Sequence, residues 1–164
     1  MSILDKLGFS PARWENGALI VLDQRTLPES EKYLRIKSVD ETAEAIGNLT
    51  VRGAPLIGII AAYGLCLVSD PFDDQEFENA CEKLLLSRPT AVNLSWAVRR
   101  MISVRDKNRD IDDLRAILLT EAETIHREDA FMCEKIGEFG NDIIPQSCRI
   151  LTHCNAGVLA TGGI

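Results

Sequence analysis

Between Pro55 and Val68 the chain reads PLIGIIAAYGLCLV, without one charged side chain. Pro55 suits the first position of a helix, where a missing N–H is no loss. Leu56, Ile57, Ile59, Ile60, Leu65 and Leu67 then fall on every side of that helix, leaving no polar face. Such a helix has to be enclosed by other elements of a core. It is too short and too interrupted by glycine to make a good membrane span. The rest of the chain must therefore supply a shell around residues 55–68.

Candidates for that shell are legible on both sides. Residues 10–36 read as a small antiparallel unit: a turn signal at Trp14-Glu15-Asn16-Gly17-Ala18, an apolar strand from Ala18 to Leu22, and Leu34-Arg35-Ile36 to pair with it. Ser38, with Glu41 three residues on, predicts a capping box and a helix to about Ile46. Helices are expected near 73–86 and 90–106. A long acidic helix over about 111–140 should turn Leu114, Leu118, Ile125, Cys133 and Ile136 inward and fray at Gly137 or Gly140. Pro145-Gln146-Ser147 is the clearest boundary. It separates a mainly helical domain, 1–145, from residues 146–164, where a strand at 149–153 should begin a Rossmann-like, parallel-sheet domain. The fold class is α/β overall.

A net charge of −7 and a pI near 4.9 argue against a nucleic-acid surface, so any phosphate affinity must be local. The five cysteines show no CxxC spacing, and only His126 and His153 are available to join them. Neither a metal site nor a disulfide framework is indicated. The N-terminus, Met-Ser-Ile-Leu-Asp-Lys, lacks the pattern of a secretory signal. A cytoplasmic chain with free thiols is the simplest reading. The sequence ends at Ala-Thr-Gly-Gly-Ile, soon after a strand that would lack sheet neighbours, and is expected to be part of something longer.

Three loops invite chemistry. In ILTHCNAG, 150–157, an apolar run stops at Cys154, and Asn-Ala-Gly reads as a turn opening a helix. A thiol facing a helix N-terminus sits where N–H groups favour the thiolate. The bland alternative is a small core residue. His153 neighbours it, but adjacent strand residues point to opposite faces, so His153 is read as structural or supporting. Arg52-Gly53-Ala54 directly precedes the apolar helix, whose free N–H groups attract anions, and Gly53 would let a ligand approach the backbone. Arg88-Pro89-Thr90 repeats the logic: Pro89 keeps Arg88 extended, and Thr90 can cap the next helix. Either arginine taken alone could simply be solvated. Cys66, Cys81 and Cys133 fit helical apolar patterns. Glu128 and Asp129 read as a solvated or structural acidic pair.

Together, LDQRTLP at 22–28, VRGAPLIGIIAAYG at 51–64, SRPTAVNLSWAV at 87–98 and ILTHCNAGVLATGG at 150–163 resemble the methylthioribose-1-phosphate isomerases, in the family's order. The resemblance extends to a superfamily shared with regulatory subunits of the eukaryotic initiation exchange factor. It implies an aldose–ketose isomerase of methionine salvage, converting 5-methylthioribose 1-phosphate to 5-methylthioribulose 1-phosphate with neither metal nor organic cofactor. It further implies Arg52, Gly53, Ala54 and Arg88 as substrate-binding residues and Cys154 as the active-site thiol. The family's aspartate, glutamine and Asn-Lys pair would lie beyond position 164, so residues 1–164 alone are expected to be inert. A homodimer or a complementing C-terminal half is the implied partner. The alternatives are a non-catalytic regulatory subunit and a ribose 1,5-bisphosphate isomerase.

Overall fold

A computed structural model describes residues 9–69 and 72–163; the N-terminal stretch read for a secretory signal lies outside them. Strands β1 (Ala12–Glu15), β2 (Ala18–Leu22) and β3 (Tyr33–Ile36) form one antiparallel sheet in sequence order. Asn16 and Gly17, both at positive φ (48° and 70°), make the two-residue hairpin turn whose twist matches the flanking strands. Glu15 pairs with Ala18 across it, and Val21 opposes Leu34 on the other edge. All of β2 is buried, as expected for the middle strand.

Five helices follow: α1 (Val39–Gly47), α2 (Ala54–Leu65), α3 (Asp74–Ser87), α4 (Val92–Lys107) and α5 (Leu114–Ile143). The apolar helix α2 is the core element. It packs against β2 and all four other helices, and from Leu56 to Leu65 every residue is buried. Two of its glycines permit close approach. A Cβ on Gly58 would lie 2.8 Å from the Asn93 carbonyl of α4, and one on Gly64 would lie 2.5 Å from Thr42 of α1. Ser38 caps α1 by accepting from the Glu41 N–H, while the Glu41 carboxylate accepts from Lys37 N–H at 2.6 Å. The expected capping box is thus offset by one residue.

Several expectations need correction. Helix α5 does not fray at Gly137 or Gly140 but runs to Ile143. Its stripe of Leu114, Leu118, Ala122 and Ile125 is buried; continued at the same spacing it reaches Met132, Ile136, Phe139 and Ile143, which are exposed, so Ile136 does not enter the core. Cys133 is half-buried. The strand expected at 149–153 is irregular chain, with Leu151 96% exposed. A strand exists only through hydrogen bonds to neighbours, and none of β1–β3 reaches this segment. The Asn-Ala-Gly sequence opens no helix among the described residues. It leads into a single turn, 157–160, closed by the Ala160 N–H on the Gly157 carbonyl at 2.9 Å. Among the described residues, no helix is long and apolar enough to cross a membrane.

Candidate functional site

The five residues singled out in the sequence line one cleft. Arg52, Gly53 and Ala54 form one wall, Arg88 and the start of α4 another, and Cys154 with Asn155 the third, around a cavity of about 510 Å³. Helices α2 and α4 pack closely at Gly58 and Asn93, which brings the Arg52 and Arg88 loops together, and the 157–160 turn, seated on Gly53 and Leu56, brings the Cys154 segment to them.

Those N-termini differ from the rest. Helices α1, α3 and α5 are capped by the side chains of Ser38, Asp73 and Asp113. The starts of α2 and α4, at Gly53 and Ala91, have no side-chain cap and no acidic residue in the first turn. Thr90, expected as the cap of α4, instead lines the cleft. The first N–H groups of α4 are therefore left to the cleft, where the positive end of the helix dipole adds to them. Arg88, at φ −148°, ψ 79°, is out of the helical region, which Pro89 disfavours for the residue before it, but is not fully extended. Neither guanidinium has a hydrogen-bond or ion-pair partner among the described residues, and the cleft lining holds no carboxylate. In an acidic chain this is a local concentration of positive charge.

Gly53 lines the cleft and also makes room for the chain's own packing. Its φ is +100°, and a Cβ there would sit 2.3 Å from Ala160 Cα. The space belongs to the chain's own 157–160 turn, whose Ala160 carbonyl accepts from the Leu56 N–H at 3.0 Å. With Pro55 lacking an N–H, Ala54 supplies the free N–H of the first turn of α2. Cys154 is exposed and lies across the cleft from the starts of α2 and α4, not at the start of a helix of its own. His153 is exposed and does not line the cleft. Asn93 and Asn155 do, and neither was singled out as a site residue from the sequence. Their signal was only adjacency to the Arg-Pro-Thr and Cys154 motifs. Burial raises the Cys66 thiol far above its ordinary pKa and pushes Cys81 up to about 12, which removes both from nucleophilic chemistry.

A chain built this way, with two uncapped helix starts and two free arginines facing a thiol, matches the initiation factor 2 subunit family model over residues 50–162, and it belongs to that family. Within that family it is similar to methylthioribose-1-phosphate isomerases. The protein of that name from Geobacter sulfurreducens is 42% identical over 166 residues, covering 96% of this chain and 48% of the relative. The one from Anaeromyxobacter sp. is 49% identical over 144 residues, covering 87% and 41%. Among solved structures, 5-methylthioribose 1-phosphate isomerase from Pyrococcus horikoshii OT3 superposes with a TM-score of 0.86 at 38% identity, over 94% of this chain and 46% of that one. Translation initiation factor eIF-2B subunit delta from A. fulgidus gives 0.79 at 33%, over 94% and 47%. The chain spans about half the length of the curated relatives it matches.

Proposed function

We propose that the cleft is the phosphate-binding half of an isomerase site for 5-methylthioribose 1-phosphate. The observation that carries this reading is the pair of helix starts without side-chain caps converging with the unpaired Arg52 and Arg88 on Cys154. A sugar phosphorylated on its anomeric oxygen cannot open its ring as a free sugar does. Catalysis must anchor the phosphate, assist ring opening and move hydrogen between C1 and C2. Arg52, Arg88, the Ala54 N–H and the first N–H groups of α4 suit the anchor, with Gly53 keeping the loop in place. Cys154 is the group placed to act at the sugar carbons.

Among the described residues the cleft offers no carboxylate or imidazole as a second acid/base group. The reading therefore has a complementing polypeptide supply it, with residues 1–164 inert alone. Residues 146–164 would open a second, Rossmann-like domain after 1–145. The exposed Met132, Ile136, Phe139 and Ile143 support a face covered by that complement or by a second copy. A cytoplasmic location fits a metabolic isomerase.

The test is calorimetric titration of the chain with 5-methylthioribose 1-phosphate, then turnover once the chain is completed to the relatives' length. Arg52→Ala or Arg88→Ala should each weaken binding about 10- to 100-fold, the loss expected for a charge-assisted contact. Cys154→Ala should abolish turnover and largely preserve binding; a near-normal rate would remove the thiol from the mechanism. Preference for ribose 1,5-bisphosphate would overturn the substrate. The likeness to the eIF-2B delta subunit supports a second reading, a regulatory subunit, for which the completed chain would bind without turnover.

A further inference from the structure

The 159–162 segment, which joins the Cys154 loop to the helices, is held from several sides by groups that the reaction does not use. Gln24, 3% exposed, donates from Nε2 to the Leu159 carbonyl at 2.7 Å. The Leu56 N–H donates to Ala160 at 3.0 Å. Gly162 is gripped at both ends of its backbone: its N–H donates to Asp129 Oδ2 at 2.6 Å, and its carbonyl lies 3.0 Å from His126 Nε2. A carbonyl only accepts, so His126 carries its proton on Nε2, and Nδ1 accepts from the Tyr63 hydroxyl at 3.2 Å. Gly162 is required there, because a Cβ would lie 2.7 Å from the His126 carbonyl oxygen, a backbone atom of α5, and 2.7 Å from His126 Cδ2.

The clasp is anchored in three places: the end of β2, the core helix α2, and α5. Beyond it, residues 148–156 are exposed and take no regular structure. Within residues 146–163, the clasp is thus the last firmly packed point next to Cys154. Among the described residues, the clasp holds the C-terminal side of the Cys154 loop against the core.

We propose that Gln24, His126 and Asp129 are positioning residues for the cleft: by pinning 159–162 to the core they hold Cys154 across from the starts of α2 and α4. This rests on the isomerase reading for its purpose, but its geometry is testable without it. Hydrogen exchange on the 164-residue chain reads the clasp. In His126→Ala, and separately in Gln24→Ala, the Leu56 and 160–162 amides should exchange about tenfold faster, the factor for one hydrogen bond lost from a buried group. Amides of α1 and α3 should keep their protection. His126→Gln, whose amide can donate to Gly162 and accept from Tyr63, should restore the slow exchange.

Cleft geometry is read separately by cross-linking. In a Thr90→Cys, Cys148→Ser background, a short bis-maleimide should join residue 90 to Cys154 in good yield. The yield should fall several-fold with His126→Ala and recover with His126→Gln. Unchanged exchange in both alanine variants would overturn the proposal, as would a glutamine variant that behaves like alanine. So would a cross-link yield that is low with the clasp intact or preserved when the turn is open. Failure of the unmodified chain to bind the sugar phosphate, with cross-link yields as expected in the Thr90→Cys background, would count against the functional reading and leave the clasp standing.

Discussion

Gly53→Ala separates a glycine required by backbone conformation from one required by a neighbour. Gly53 has φ +100° and ψ 130°, a region that L side chains rarely enter, at a cost of about 1–3 kcal/mol. The new methyl would also meet Ala160 at 2.3 Å to Cα, 2.5 Å to Cβ and 2.6 Å to O. Cα and O are backbone atoms and an alanine Cβ is fixed to the backbone, so no rotamer change relieves the overlap. The cheapest escape is for the 157–160 turn to lift away, giving up the Leu56–Ala160 and Gln24–Leu159 hydrogen bonds at about 1 kcal/mol each. The main apolar cluster does not include the turn, so the helices survive its departure. Overall the loss should be about 3–5 kcal/mol, or roughly 6–20 °C in Tm for a domain of this size.

Gly17→Ala is the control, since Gly17 also has positive φ but nothing lies within 4 Å of its Cβ position. It should cost about 1 kcal/mol, the left-handed penalty alone. The assay pairs thermal melting with hydrogen exchange of the two variants. Gly53→Ala should lose protection at 160–162 and at Leu56, and Gly17→Ala should not. If the two variants melt together and the turn keeps its protection in both, the assignment of Gly53 to the turn is wrong.

Three further outcomes follow from the same geometry. Burial lowers the His126 pKa below the ordinary 6.5, so the unfolded state takes up a proton that the folded state resists. The associated stability is complete above about pH 6.5 and is lost as pH falls toward the depressed value. Urea midpoints of wild type and His126→Gln should therefore converge or cross between pH 8 and 5.5, and a constant difference would refute this. Iodoacetamide at pH 8 should label Cys148 and Cys154 well before Cys81, whose pKa is about 12, and Cys66, whose thiol burial raises further; peptide mass spectrometry showing Cys81 labelled as fast as Cys148 would contradict it. Arg105 is 3% exposed, lies 2.7 Å from Asp74 and 2.8 Å from Asp106, and covers the Phe77 ring. Because those carboxylates are about half exposed and screened, Arg105→Ala should cost about 2–3 kcal/mol and Arg105→Met clearly less, measured by urea denaturation.

What the sequence disclosed and what it withheld divide along the range of the interactions involved. Several helix starts were legible because they are local decisions: Ser38 and Asp73 cap within three residues, and Pro55 suits the first turn of a helix, whereas the end of α5 and the cap of α4 were not. The hairpin was legible from Asn16-Gly17 for the same reason. The cleft residues were legible only as separate motifs, and nothing local says that Arg88 and Cys154 share a cavity with Arg52. The sequence was ambiguous where one local property has two possible uses. A glycine before a helix admits a ligand or another stretch of chain, and Gly53 admits Ala160. An apolar run at 149–153 makes a strand only beside another strand, and none of β1–β3 reaches it. Gln24, His126 and Asp129 were illegible as a set because their single common partner is backbone at 159–162. Carbonyls and N–H groups carry no residue identity, so side chains that bind them leave no pairing signal in the sequence. The acidic pair Glu128-Asp129 shows the consequence. On the sequence its two members are alike, yet Glu128 pairs with Arg100 at the surface while Asp129 holds Gly162 and, with it, the loop that carries the thiol.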